Sequence, residues 1–345
     1  MRIRTNVAAL AGAAAVGVVG GALLAARQIN GPQRPAMNYG LTPFEVGVKA
    51  ESVTFTASDG THLAGWWFDR DTSASTRGDA TRLDEGRDET GEARSERERA
   101  ANEPEPATSE GTTRADTDGT HSDQSHQQQR ERVVIICHGY RGTKSDLLGI
   151  GPGLWRAGNT VLVFDFRGNG DSGDGPQSLA HYEQRDLEAA IDFAAARRPE
   201  AEIAVVGFSM GAAVALLVAA RDERVAKVVS DSAFADMRGV VATAARSRRL
   251  PPVPLVDLAD HATRLRYGYR FGSVQPVEVV GRIAPRPLLI IHGTSDAMIP
   301  VEHAYRLAQA AGGNAELRLA DVAHCGAYFA DRPGYITAVA EFLRT

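Results

Sequence analysis

Gly207-Phe208-Ser209-Met210-Gly211 stands between an apolar run, Ile203 to Phe208, and a long Ala/Leu/Val stretch, Met210 to Ala220. The first flank has the unbroken, β-branched character of a buried strand and the second the Ala/Leu content of a helix, so the serine falls on a sharp strand-to-helix turn. Glycines on both sides give the backbone room there. The five-residue pattern alone carries little weight in a chain with 35 glycines; its place between a strand and a helix gives it meaning. In that context a serine held in a strained turn projects its hydroxyl above the end of a sheet.

A lone hydroxyl is a poor nucleophile near neutral pH and needs an imidazole base held by a carboxylate. Pro287 to Ile291 reads as a short buried strand running into His292-Gly293-Thr294-Ser295-Asp296, which puts an acid on the loop past a strand end. Glu316 to Leu319 gives a half-alternating strand followed by Asp321-Val322-Ala323-His324-Cys325-Gly326, which puts a histidine on the next such loop. Ser209, Asp296 and His324 are therefore the candidate nucleophile, acid and base, in that chain order. Asp231, at the end of the preceding strand pattern, is a rival for the acid. Val133 to Ile136 is a further β-rich run, ending in Cys137-His138-Gly139-Tyr140. The loop after it and the residue after the serine offer two backbone N–H donors for a developing oxyanion, Tyr140 and Met210.

These motifs resemble the α/β-hydrolase superfamily, in particular the branch that groups serine aminopeptidase (S33)-type and BEM46-like hydrolases. Members carry H-G, D-x-R-G-x-G-x-S, G-x-S-x-G, G-x-x-D-x-x-x-P and a late His. Here these are His138-Gly139, Asp165 to Ser172, the Ser209 turn, Gly293 to Pro300, and His324. The resemblance runs from about Ser52 to Leu343, apart from one insertion. It implies an α/β-hydrolase fold with Ser209, Asp296 and His324 as a triad. The aminopeptidase label is a grouping and does not imply peptide cleavage.

Residues 7–26 are twenty consecutive uncharged, mostly apolar residues behind Arg2 and Arg4. They are long enough to cross a bilayer core of about 30 Å. An N-terminal membrane anchor and linker over residues 1–35 is expected, with a cleaved signal peptide as the alternative, and the catalytic part outside the cytoplasm. Residues 71–130 hold fifteen Asp/Glu against eight Arg, a net of −7, with Leu83 the only large aliphatic residue and no aromatic. Such a segment buries too little apolar surface to offset ordering and is expected to be a disordered insertion. The chain as a whole carries −5, so the remainder is nearly neutral at +2 and its overall acidity says nothing about the catalytic part.

What remains of residues 36–345 suffices for one well-buried domain. Its strand and helix patterns alternate after an opening hairpin, Ser52 to Ala57 and Leu63 to Phe68. They predict a mostly parallel twisted sheet with helices on both faces, entered through an antiparallel edge. Helices are expected around Leu147 to Arg156, Leu179 to Ala196, Val301 to Ala311 and Gly334 to Leu343. An irregular stretch at about 234–275 interrupts the alternation and is expected to be a short cap over Ser209, with the aromatics Tyr267, Tyr269 and Phe271 lining an apolar slot and arginines outside it.

Cys137 and Cys325 each flank a histidine; both are expected to be small buried fillers, with a disulfide as the alternative. His138 and His292 are expected to be structural. No metal cluster, dinucleotide fingerprint or P-loop is present in the sequence, and no basic stripe favours nucleic acid. No cofactor or metal is expected. The function expected is a serine hydrolase acting on a carboxylic ester or thioester, a small-molecule acyl substrate, with membrane association through the N-terminal helix. An amidase or aminopeptidase-type enzyme, and a non-catalytic membrane-tethered binding protein, are the alternatives. The oligomeric state is not legible.

Overall fold

In a computed structural model, residues 20–31, 41–71 and 131–345 are described. Eight strands form one sheet: β1 (Glu51–Thr56), β2 (His62–Phe68), β3 (Arg132–Cys137), β4 (Thr160–Phe164), β5 (Glu202–Phe208), β6 (Val225–Asp231), β7 (Leu288–Gly293) and β8 (Ala315–Ala320). Their order is β1-β2-β4-β3-β5-β6-β7-β8. β1 and β2 pair antiparallel at one edge, β2 joins β4 antiparallel, and every later pairing is parallel. β4 and β7 are buried at every residue, as strands covered on both faces must be, whereas the edge strands are open to solvent, β1 mostly exposed and β8 partly so.

The period of two splits each strand between two cores. Val133, Ile135 and Cys137 face a core built with the helices Glu183–Arg197, Met210–Ala219 and Glu302–Ala311. Val134 and Ile136 face a second core with Ile150–Arg156 and Arg332–Arg344. The helix after Ser209 is buried at all ten residues, which is why its sequence is apolar all round. The candidate side chains lie beyond the C-terminal ends of the parallel strands, where open α/β sheets leave a crevice.

Several elements differ from expectation. The helix expected from Leu179 begins at Glu183, because Leu179 and Ala180 take left-handed backbone angles (φ 51° and 81°). The stretch expected to be irregular contains two helices, Met237–Ser247 and Pro252–Tyr267, the second closed by Gly268 at φ 78°. Of the expected anchor, residues 7–19 lie outside the described residues, while 20–26 fall in a helix over 20–30. Among the described residues no helix is long and apolar enough to cross a membrane. Residues 72–130, nearly all of the acidic insertion, also lie outside the described residues.

Candidate active site

Ser209 sits between β5 and the helix Met210–Ala219 with φ 53° and ψ −114°, a conformation that costs a non-glycine residue of order 1–3 kcal/mol. The turn is tight enough to dictate its neighbours. A Cβ on Gly207 would lie 2.4 Å from the Gly211 carbonyl oxygen, and one on Gly211 would lie 2.4 Å from that of Cys137. The Ser209 N–H donates to the Asp231 carbonyl at 2.8 Å, tying the turn to β6.

The structure brings Ser209, Asp296 and His324 together from three separate loops. His324 Nδ1 is 2.6 Å from Asp296 Oδ2, and His324 Nε2 is 2.9 Å from Ser209 Oγ. The carboxylate can only accept, so Nδ1 carries the proton and Nε2 is left to accept the serine hydroxyl. Asp296 is 5% exposed. Burial works to raise its pKa, but the bond from His324 and the N–H groups of Ile299 and Met298 outweigh it and hold the carboxyl below its ordinary value. His292, fully buried, contacts the Ile299 carbonyl through Nε2 at 2.8 Å and braces the loop that carries Asp296. Asp231 is occupied elsewhere: its two oxygens accept from Ser232 Oγ at 2.8 Å and Tyr335 OH at 2.9 Å. Burial pushes its pKa up to about 6.

The loop after β3 passes directly over the serine. A Cβ on Gly139 would lie 3.4 Å from Ser209 Cβ, and the next residue is Tyr140. Met210 is the first residue of its helix, so its N–H has no intrahelical acceptor. His138 is buried and braces the loop. Its Nε2 accepts from the Phe166 N–H at 3.0 Å, which leaves Nδ1–H to donate to the Gly139 carbonyl at 2.7 Å. Cys137 and Cys325 are free thiols, and burial raises the pKa of both, Cys325 to about 12. Neither is poised as a thiolate nucleophile.

Three supports escaped the sequence reading. Asp165, buried, accepts from Lys144 Nζ at 2.5 Å, the Lys144 N–H at 2.7 Å and the Asp171 N–H at 2.9 Å, folding the Asp165 to Ser172 loop onto the loop after β3. The Glu183 carboxylate gathers Ser178 N–H and Oγ–H, both at 2.6 Å, and the Ala180 N–H at 3.0 Å, fixing Leu179 between them. A buried acid preceded by left-handed residues leaves no periodic signal. The third is the helix over 20–30, which borders a cavity of about 1060 Å³ above Ser209. The cap contributes Val240, Val241, Leu255 and Val256 to that cavity. Phe234 lines it, but the three aromatics expected to do so, Tyr267, Tyr269 and Phe271, do not: Tyr269 stacks on His181 at 4.4 Å and Phe271 is fully buried in the core, fastening the cap to the sheet domain.

Residues 132–267 match the family described as alpha/beta hydrolase fold. The chain is 33% identical over 216 residues to the uncharacterised protein YqkD of Bacillus subtilis, covering 61% of this chain and 70% of that protein. It is 32% identical over 184 residues to the uncharacterised protein Rv2307c of Mycobacterium tuberculosis, covering 52% of this chain and 57% of that protein. Among solved structures, an esterase of Pyrococcus furiosus superposes with a TM-score of 0.63 at 22% identity, covering 91% of this chain and 96% of that one. That likeness is one of fold.

Proposed function

This chain belongs to the α/β-hydrolase family, and on that premise we propose that it is a serine hydrolase cleaving carboxylic esters or thioesters through an acyl-enzyme. One observation carries the reading: an unbroken hydrogen-bond chain from Ser209 Oγ through His324 to a buried, charged Asp296. His324 takes the hydroxyl proton as Ser209 attacks the carbonyl carbon, while Asp296 holds the imidazole in the tautomer that leaves Nε2 free. The tetrahedral oxyanion is held by the N–H groups of Tyr140 and Met210. It collapses by breaking the bond to the leaving alcohol or thiol, which takes the proton from His324. Water, deprotonated by the same imidazole, then releases the carboxylic acid and restores the serine. An esterase among the structural neighbours and an apolar cavity above Ser209 favour an ester over a peptide substrate.

Labelling with a fluorophosphonate probe tests the assignment. Wild-type protein is expected to label at Ser209 and to hydrolyse p-nitrophenyl esters, and Ser209→Ala to do neither while melting within a few degrees of wild type. Stoichiometric labelling of the variant, or a clear preference for aminoacyl amides over esters, would overturn the reading.

A further inference from the structure

The helix over 20–30 is built into the active site. Ala22, Ala26 and Asn30, at i, i+4 and i+8, are 3%, 2% and 0% exposed and form one face packed against protein. Gly21, Leu24, Ala25 and Ile29 turn to the cavity above Ser209. The last carbonyls of a helix have no intrahelical donors, and here the domain supplies them. Tyr140 OH lies 3.0 Å from the Gln28 carbonyl oxygen and 2.8 Å from that of Ile29, and the Arg141 guanidinium also donates to Gln28. Tyr269 OH is 2.6 Å from Asn30 Oδ1, and Asn30 Nδ2 donates to the Ala26 carbonyl at 2.8 Å. A passing linker would not hold a fully buried asparagine with both ends of its amide satisfied. The donors come from the loop that bears the Tyr140 N–H and from the segment that returns from the cap, so the helix, the oxyanion side and the cap form one assembly.

We propose that the helix over 20–30 is the specificity-determining wall of the acyl site, and that this site takes a medium-chain aliphatic acyl group. The inference rests on the serine-hydrolase reading. At about 1060 Å³ the cavity stands at the upper end of ligand sites, which typically hold about 300–1,000 Å³. An acetyl group would leave most of it empty. Aliphatic side chains line it on the cap side as on the helix side, so each methylene that an acyl chain buries there strengthens binding about fourfold. Gly21 and Ala25 set its width, one turn apart on the wall.

The test narrows that wall in the full-length protein. A Cβ on Gly21 meets nothing within 4 Å, so Gly21→Phe projects into open space without strain; Ala25→Phe adds bulk one turn further on. The ratio of kcat/KM for p-nitrophenyl decanoate to that for the acetate is expected to favour decanoate in wild type and to fall at least tenfold in each variant. Leu23→Phe, on the exposed side of the same helix, is expected to keep the wild-type ratio within about twofold. Labelling rates with short- and long-alkyl fluorophosphonates, read as modification of Ser209 by mass spectrometry, give the same comparison independently of turnover. An unmoved ratio with Ser209 still labelled, or a wild-type preference for acetate, overturns the wall and leaves the hydrolase standing. Absence of any labelling in wild type overturns both.

Discussion

Two carboxylates stand at the C-terminal end of the sheet, and their surroundings treat them oppositely. Asp296 is buried, yet His324 and two backbone N–H groups keep it charged; Asp231 is buried with only two hydroxyl donors, and its pKa rises to about 6. Asp296→Asn removes the acceptor that fixes the imidazole tautomer and is expected to lower kcat by about 10⁴, the magnitude known for serine proteases. Asp231→Asn is expected to stay within about tenfold of wild type. Steady-state kinetics on one ester checks both, and the reverse ranking would make Asp231 the acid. Asp231 also predicts a pH effect on stability. Below pH about 4 the group is protonated in both folded and unfolded states. Between about 4 and 6 only the unfolded state ionises, so wild-type stability falls as pH rises, by roughly 2–3 kcal/mol, and then levels off. The stability of Asp231→Asn minus that of wild type, from urea melts, is expected to rise through that window and stay flat above it; a flat difference throughout would mean Asp231 ionises normally in the fold. Sequence alone left these two acids as rivals because both stand at the C-terminal ends of neighbouring strand patterns. Hydrogen bonds from residues distant in the chain, His324 and Tyr335, separate them.

At the scale of elements, close approach and left-handed backbone make different demands on glycine. A Cβ at Gly211 would collide with the carbonyl oxygens of both Cys137 and His138, at 2.4 and 2.6 Å. The helix after Ser209 would have to retreat from β3, and Gly211→Ala is expected to cost more than about 3 kcal/mol or to prevent folding. Gly268 meets no such contact and only needs φ 78° to close the helix Pro252–Tyr267; Gly268→Ala is expected to cost about 1 kcal/mol. Urea denaturation of the two variants tests the order, and equal losses would mean that the turn can relax. The parallel strands were legible because burial on both faces writes itself as a continuous apolar run. The cap helices were not. Pro251, Pro252 and Pro254 interrupt the periodic pattern, and the backbone does leave the helical region at Val253 (φ −102°, ψ 127°), yet beyond that kink the chain is helical to Tyr267, with Pro254 in the first turn, where a missing N–H costs nothing. The helix over 20–30 was read with the lipid-compatible run before it, since an apolar residue carries the same signal whether protein or lipid covers it.

For the molecule as a whole, the acidic insertion is a question of where its two ends lie. Phe68 of β2 and Val134 of β3 both pair with Val161, one on each side of β4. With strands about 4.8 Å apart, the chain leaves and returns at points roughly 10 Å from each other. Arg198 fastens both sides of the opening: its guanidinium lies 2.6 Å from Asp69 and 3.4 Å from Asp71 before the insertion, and 3.3 Å from Glu131 after it. Described residues on both sides of the opening are thus tied to one another, and the composition of residues 72–130 gives them little apolar surface to bury. Replacing those 59 residues by about six of Gly/Ser spans the gap. It is expected to preserve ester hydrolysis and a single cooperative melt, and to raise stability by up to about 2 kcal/mol through the shorter loop closure. Arg198→Ala, which removes a partly exposed staple, is expected to cost at most about 1 kcal/mol in the full-length chain and to offset part of that gain in the shortened one. Loss of the cooperative melt on shortening would mean that the insertion packs against the domain and helps to hold β2 and β3 beside β4.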